Sequence, residues 1–345
     1  MAVLRPPIIH IKANYSLLDE YVIDLKWSAN GNWLAAGSAS GEVAVIDFPK
    51  NQIVYQKNHH PGGLNCITWH PKTAILSSAG QDGKVKILDL SDGATGSEIK
   101  TSQSWVEKVL WNPKGEYFLT AAGKQLQLWD KQYLLAQEWN QSDHMIMDVA
   151  WLPKGNSFVA GSHEKLVIHS IPQKDLPSNQ STTISIPFTA KCLAPSWDQK
   201  WIAVGCLSEF LFFTRPDGTD QFALKLPSTS VNQVIWMSDN LHILATAGND
   251  LVVVDVKKAY RDQPCYEIIH DEDSPMIAMA IQPRKQLIAC ANSLGKLGLW
   301  TLQKRMIPLL EESIENGISQ LSWSPNEQYL AVGTPEGRVI VLAIQ

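Results

Sequence analysis

A unit of about forty residues recurs along the chain, and this constrains the fold more than any single motif. Its fullest copy is 22–47, VIDLKWSANGNWLAAGSASGEVAVID, followed by LNCITWHPKTAILSSAGQDGKVKILD at 64–89 and VEKVLWNPKGEYFLTAAGKQLQLWD at 106–130. Residues 146–170, 231–255 and 318–342 follow the same grammar, and weaker copies sit at 190–213 and 276–301. Aligned on one position, Trp27, Trp69, Trp111, Trp151, Pro195, Trp236, Ile281 and Trp323 fall in register, about 40–45 residues apart. Strand-rich repeats of that period are the mark of β-propeller blades.

Each unit reads as strands from its own residues. A first segment such as Leu64-x-x-Ile67-x-Trp69 ends in a turn rich in Pro, Asn, Lys and Gly. A short apolar run with small residues follows (Leu34-Ala35-Ala36-Gly37, Leu330-Ala331-Val332-Gly333). A Gly-containing turn such as Asp82-Gly83 then leads into period-two alternation, as at Val85 and Ile87. Fourth strands are expected between units, at 53–56, 98–101, 134–139, 183–186, 222–226, 266–270 and 306–310. The eighth is missing at the C-terminal end, and 8–13, IIHIKA, is placed to supply it.

On these residues the chain resembles the WD40-repeat family along nearly its whole length. The expectation is an all-β fold, one closed propeller domain over 1–345, with eight blades of four antiparallel strands and the N-terminal strand closing the ring. Seven blades is the alternative count. The resemblance is degenerate in places: at the end of the third strand Trp129-Asp130 is the one literal Trp-Asp pair, and Ile46-Asp47, Leu88-Asp89, Val254-Asp255 and Trp300-Thr301 stand at equivalent positions. The family's buried Asp/His/Ser/Trp network is incomplete, since unit two keeps Ser78 and Asp82 but has Leu88 where the Trp belongs.

Composition fits a packed ring, with 45% hydrophobic residues and thirteen Trp. The segment 171–182, IPQKDLPSNQST, reads as a long loop within unit four. The first ten residues lack the apolar core of a signal peptide, and no stretch has the ~18–20 apolar residues of a membrane span. Five cysteines without a C-x-x-C pair read as reduced, buried thiols. The expected location is cytoplasmic, with no membrane partner. A net charge of −5, with Lys and Arg scattered, disfavours nucleic acid, whose binders usually show a basic face.

Catalytic motifs do not emerge. Gly80-Gln81-Asp82-Gly83-Lys84 is a hairpin turn rather than a phosphate loop, and Gly37-Ser38-Ala39-Ser40-Gly41 has Ala where a nucleophile would stand. His163-Glu164 lacks the second His of a zinc-protease helix, having Val167 there. His70 and His169 read as structural. His59-His60 and His270 enter different blades, so no shared metal site is expected. The reading is therefore a non-catalytic scaffold with no cofactor and no metal. The rivals are a cofactor- or metal-binding enzymatic propeller and an RNA- or ribosome-associated one.

Surface recognition remains, and the register maps it. The residue before each first strand is expected near the channel mouth on the face we call the top. Tyr21, Trp105 and Met145 take that place in blades one, three and four, and aromatics and Met are enriched in binding hot spots. On the opposite arc, Asp271, Glu272 and Asp273 precede blade seven, and Glu311, Glu312 and Glu315 precede blade eight. Together they suggest a protein or peptide partner with apolar and basic residues. The resemblance implies the same, since WD40-like propellers are mostly platforms that bind peptides or protein surfaces on the top face.

Overall fold

The computed structural model describes residues 7–101, 104–140, 144–171, 180–228, 230–282, 286–303 and 305–345. They form antiparallel sheets whose innermost strands follow one another in chain order. Strand Val22–Trp27 packs on Leu64–Trp69, that on Lys108–Trp111, and so on to Gln320–Trp323, which packs on both Met276–Ile281 and Val22–Trp27.

The alternation expected of a half-buried strand explains each unit. In Val22–Trp27 the side chains of Val22, Leu25 and Trp27 are buried, while Asp24 and Lys26 are not. The second and third strands, such as Trp33–Ser38 and Glu42–Asp47, are buried on both faces between neighbouring blades. Small residues are required there. A Cβ on Gly37 would lie 2.0 Å from Leu64 Cδ2 of the next blade, and one on Gly333 would lie 2.8 Å from Val22 Cγ1.

The repeated tryptophan is a clasp between blades. Trp27 Nε1 donates to the Ser322 carbonyl (3.1 Å), Trp69 to Lys26 (2.9 Å), Trp151 to Leu110 (3.0 Å) and Trp236 to Ala194 (2.7 Å). Each indole thus reaches the innermost strand of the preceding unit. Carboxylates clasp in the opposite direction: Asp24 Oδ2 accepts from Ile67 N and Asp148 Oδ2 from Leu193 N, each at 2.9 Å. Lys108, at the equivalent position of its unit, cannot accept and instead pairs with Asp148 at 3.2 Å.

The strands group into seven sheets, not the eight expected. Six have four strands, and the seventh, 148–225, has six. Units four and five share that sheet because two of its strands are double length, Ser157–Ser170 and Ser181–Pro195. Phe158–Gly161 pair with the innermost strand Asp148–Trp151, whereas Lys165–His169 pair with Ser181–Ser185. Ala190–Pro195, further along the same strand, pair with Ile202–Cys206. The loop expected at 171–182 lies mostly outside the described residues.

The N-terminal strand spans Ile9–Ser16, slightly later than expected, and pairs antiparallel with Arg338–Ile344 as the fourth strand of the last sheet. One helical turn, Val256–Ala259, interrupts the all-β pattern on the face opposite the top and is capped by Asp255. It carries Lys257 and Lys258.

Candidate functional site: the top face

The top face carries the turns between second and third strands and the loops that enter each innermost strand. These two sets are hydrogen-bonded together. Val22 N donates to Thr334 O, Val106 N to Gly80 O and Ile146 N to Gly123 O, at 3.1, 3.0 and 2.8 Å. Val22 and Val106 are wholly buried and Ile146 nearly so. Fixing these residues inward sends their predecessors outward. Trp105 is 56% exposed, Met145 55% and Tyr21 41%. None folds back over its blade.

Two exposed leucines join this face that the register did not single out, Leu207 and Leu294, both in turns between second and third strands. Their signal was an apolar residue at a turn tip, where the other units place polar or small ones. Beside Met145, the His144 and His163 rings meet edge to face at 5.0 Å, and His163 Nδ1 is bonded to Thr189 Oγ1 at 2.6 Å.

The acidic arc is only partly as expected. Asp271 is buried and holds its loop: it accepts from Asn292 Nδ2, Asp273 N and Ser274 N at 3.0–3.1 Å, and Lys296 lies 3.4 Å away. Burial pushes its carboxyl up, but those hydrogen bonds outweigh it and leave the pKa below the ordinary value. Asp271 is therefore not a contact for a partner. Glu311 and Glu312 belong to the outer strand Met306–Ser313 rather than to the loop before blade eight, because pairing continues to Lys296↔Ser313. Glu272, Asp273 and Glu315 are exposed in loops as expected. Asp273, Glu311 and Glu312 line one groove of about 390 Å³ with Leu294 and Lys296. Glu272 and Glu315 do not line it.

Histidines 59 and 60 turn out to be neighbours in one buried network. Asp82 Oδ1 bonds His60 Nδ1 (2.9 Å), His60 Nε2 bonds Ser78 Oγ (2.9 Å), Ser78 Oγ bonds His59 Nδ1 (3.0 Å), and His59 Nε2 bonds Tyr55 OH (2.6 Å). With His60 and Ser78 almost wholly buried, this chain of groups is a fastening between blades one and two. Among the described residues no group of three or more His, Cys, Asp or Glu side chains is arranged to hold a metal ion. Burial pushes the Cys66 thiol up to about 11 and those of Cys192, Cys206 and Cys290 up to about 12, so these thiols are poor nucleophiles.

Two family models match parts of the chain: Eukaryotic translation initiation factor eIF2A over residues 10–128, and the Anaphase-promoting complex subunit 4 WD40 domain over 279–345. Among solved structures, the C-terminal WD40 domain of Sif2 superposes with a TM-score of 0.80 at 15% identity, covering 98% of this chain and 99% of that one. The chain has the fold of a WD40-repeat β-propeller. The computationally designed Ika8 protein is also similar, with a TM-score of 0.77 at 15% identity over 94% of this propeller and 97% of that chain.

Curated relatives are more distant in sequence. Protein transport protein sec13 of Aspergillus clavatus is 26% identical over 184 residues, 44% of this propeller and 62% of that protein. Intraflagellar transport protein 80 homolog of Mus musculus is 26% identical over 68% of this propeller and 31% of its own length. Cell division cycle 20.5, cofactor of APC complex, of Arabidopsis thaliana is 25% identical over 49% and 41%. The matched regions thus span at most about three-fifths of these relatives. No helix among the described residues is long and apolar enough to cross a membrane.

Proposed function

We propose that the chain acts as one non-catalytic interaction module, 1–345, which binds a protein or peptide segment on its top face. The observation that carries this reading is the exposure of Trp105 beside a buried, hydrogen-bonded Val106. No structural demand common to the blades explains it, since the other units carry no Trp there. Trp is among the residue types most enriched in binding hot spots. Met145 and Tyr21 extend the apolar arc. The groove of Asp273, Glu311 and Glu312 favours basic residues in the same partner. In this reading the partner is a cytoplasmic one.

The test is capture of partners from the native host by the wild-type protein and by Trp105→Ala, with melting measured on both. A hot-spot loss of about 2 kcal/mol weakens binding roughly thirtyfold. Retained melting with lost partners supports the reading, and undiminished capture removes it. The control is Trp197→Ala, at a side chain 59% exposed in a turn of the opposite face.

A second reading is favoured by one observation, the match of 10–128 to a translation initiation factor family. In it the module serves an RNA- or ribosome-associated assembly. Steep salt dependence of association with ribosomal fractions would single it out.

A further inference from the structure

At one position of the third strand, unit two carries Leu88 where units three and seven carry Trp129 and Trp300. Its partner on the outer strand is Gly96, whereas Trp129 faces Leu135 and Trp300 faces Pro308. Unit one has Ile46 facing Ile53 and unit six Val254 facing Tyr266 at the same place, so what sets unit two apart is a Gly opposite an aliphatic residue. The result is a cavity of about 350 Å³ on the seam between blades one and two, walled by Tyr55, Lys57 and His59 on one side and by Lys86, Leu88 and Gly96 on the other.

The walls differ in character. Ala94 and the buried Leu88 form the apolar side, and Tyr55 and His59 meet edge to face at 5.3 Å. The Tyr55 hydroxyl ends the buried relay that runs through His59, Ser78 and His60 to Asp82. Burial, reinforced by the neighbouring His60, Lys86 and Lys57, lowers His59 to about 4, so it stays neutral at physiological pH. Glu98 is the one carboxylate lining the cavity, and it is bonded to Lys84 at 2.5 Å, outside the lining, with Lys86 at 3.6 Å. Lys57 lies over the Tyr55 ring at 5.6 Å. The two ammonium groups of Lys57 and Lys86 thus outnumber the lining carboxylate, which a third lysine already neutralises.

We propose that this seam is a binding site for a small organic anion, with a phosphate or carboxylate head on Lys57 and Lys86 and a compact ring against Tyr55 and Leu88. The site is separate from the top-face partner surface, so either assignment can fail without the other.

Ligand-observed NMR and calorimetry with phenyl phosphate, benzoate and the neutral benzyl alcohol test it. Saturable binding of either anion in the millimolar range or tighter is expected, and the preferred anion identifies the head group. Leu88→Trp fills the cavity with the side chain that blade three uses, where Trp129 Nε1 donates to Thr120 Oγ1, and should abolish binding. Should that variant fail to fold, Lys57→Met with Lys86→Met is the second arm. It should weaken binding about tenfold or more with the top-face capture unchanged. No saturable binding of either anion, equal binding of benzyl alcohol, or binding that survives these variants overturns the assignment.

Discussion

Four indoles, Trp27, Trp69, Trp151 and Trp236, donate a hydrogen bond to a backbone carbonyl of the preceding blade, whereas Trp323 Nε1 is buried with no hydrogen-bond partner. Trp→Phe removes the donor and part of the ring at either place. Trp151→Phe should therefore cost about 1 kcal/mol more than Trp323→Phe in urea denaturation, and equal losses would show that the clasp contributes nothing. Protons act on buried rings too. Burial lowers His59 and His169 to about 4, below the ordinary 6.5, so the unfolded chain takes up protons first as pH falls. Their contribution is whole above about pH 6.5 and is lost progressively toward pH 4. Melting temperature should drop across that window, and His169→Phe, which keeps the packing on Trp139 and Phe158, should flatten the drop relative to wild type. An unaltered slope would contradict this. The clasping tryptophans were legible in the sequence because most units repeat the same requirement. Asp271 misled, because a run of three acids reads as solvated surface. Its spacing to Ser274 nonetheless matches the local turn in which an Asp side chain accepts from backbone two and three residues on.

At the scale of elements, period-two alternation located the strands, and Tyr266–His270 matches its expected bounds. The sheet count escaped because it depends on where strands stop. Ser157–Ser170 folds back on itself at Glu164, whose φ is +53°, so that Ile171 N donates to Asn156 O at 3.0 Å, and 190–195 runs on from the outer strand of unit four. The N-terminal strand carries a sharper expectation. Ile9–Ser16 covers the backbone edge of Arg338–Ile344, which is otherwise open to pairing with another chain. Deleting residues 1–16 should lower the melting temperature and produce oligomers in light scattering. A deletion that stays monomeric with unchanged melting would show that the edge needs no cover.

For the molecule as a whole, the repeat sets the same packing requirement in most blades, and the proposed partner surface consists of residues that requirement does not explain. The exposed Trp105 and Met145 were legible for that reason, as residues without counterparts at their register position. The groove of Asp273, Glu311 and Glu312 was half legible, since strand pairing rather than charge decides that the two glutamates flank it. Leu207 and Leu294 were overlooked because single apolar residues at turns are common on any surface. A partner seated on the top face is the proposal on which the rest depends. Hydrogen–deuterium exchange on the purified complex tests it without any substitution. Slowed exchange, relative to the free protein, is expected in peptides covering 104–107 and 144–147. Protection confined to the opposite face, around Trp197 and Leu241, with the top-face peptides unchanged, would contradict it.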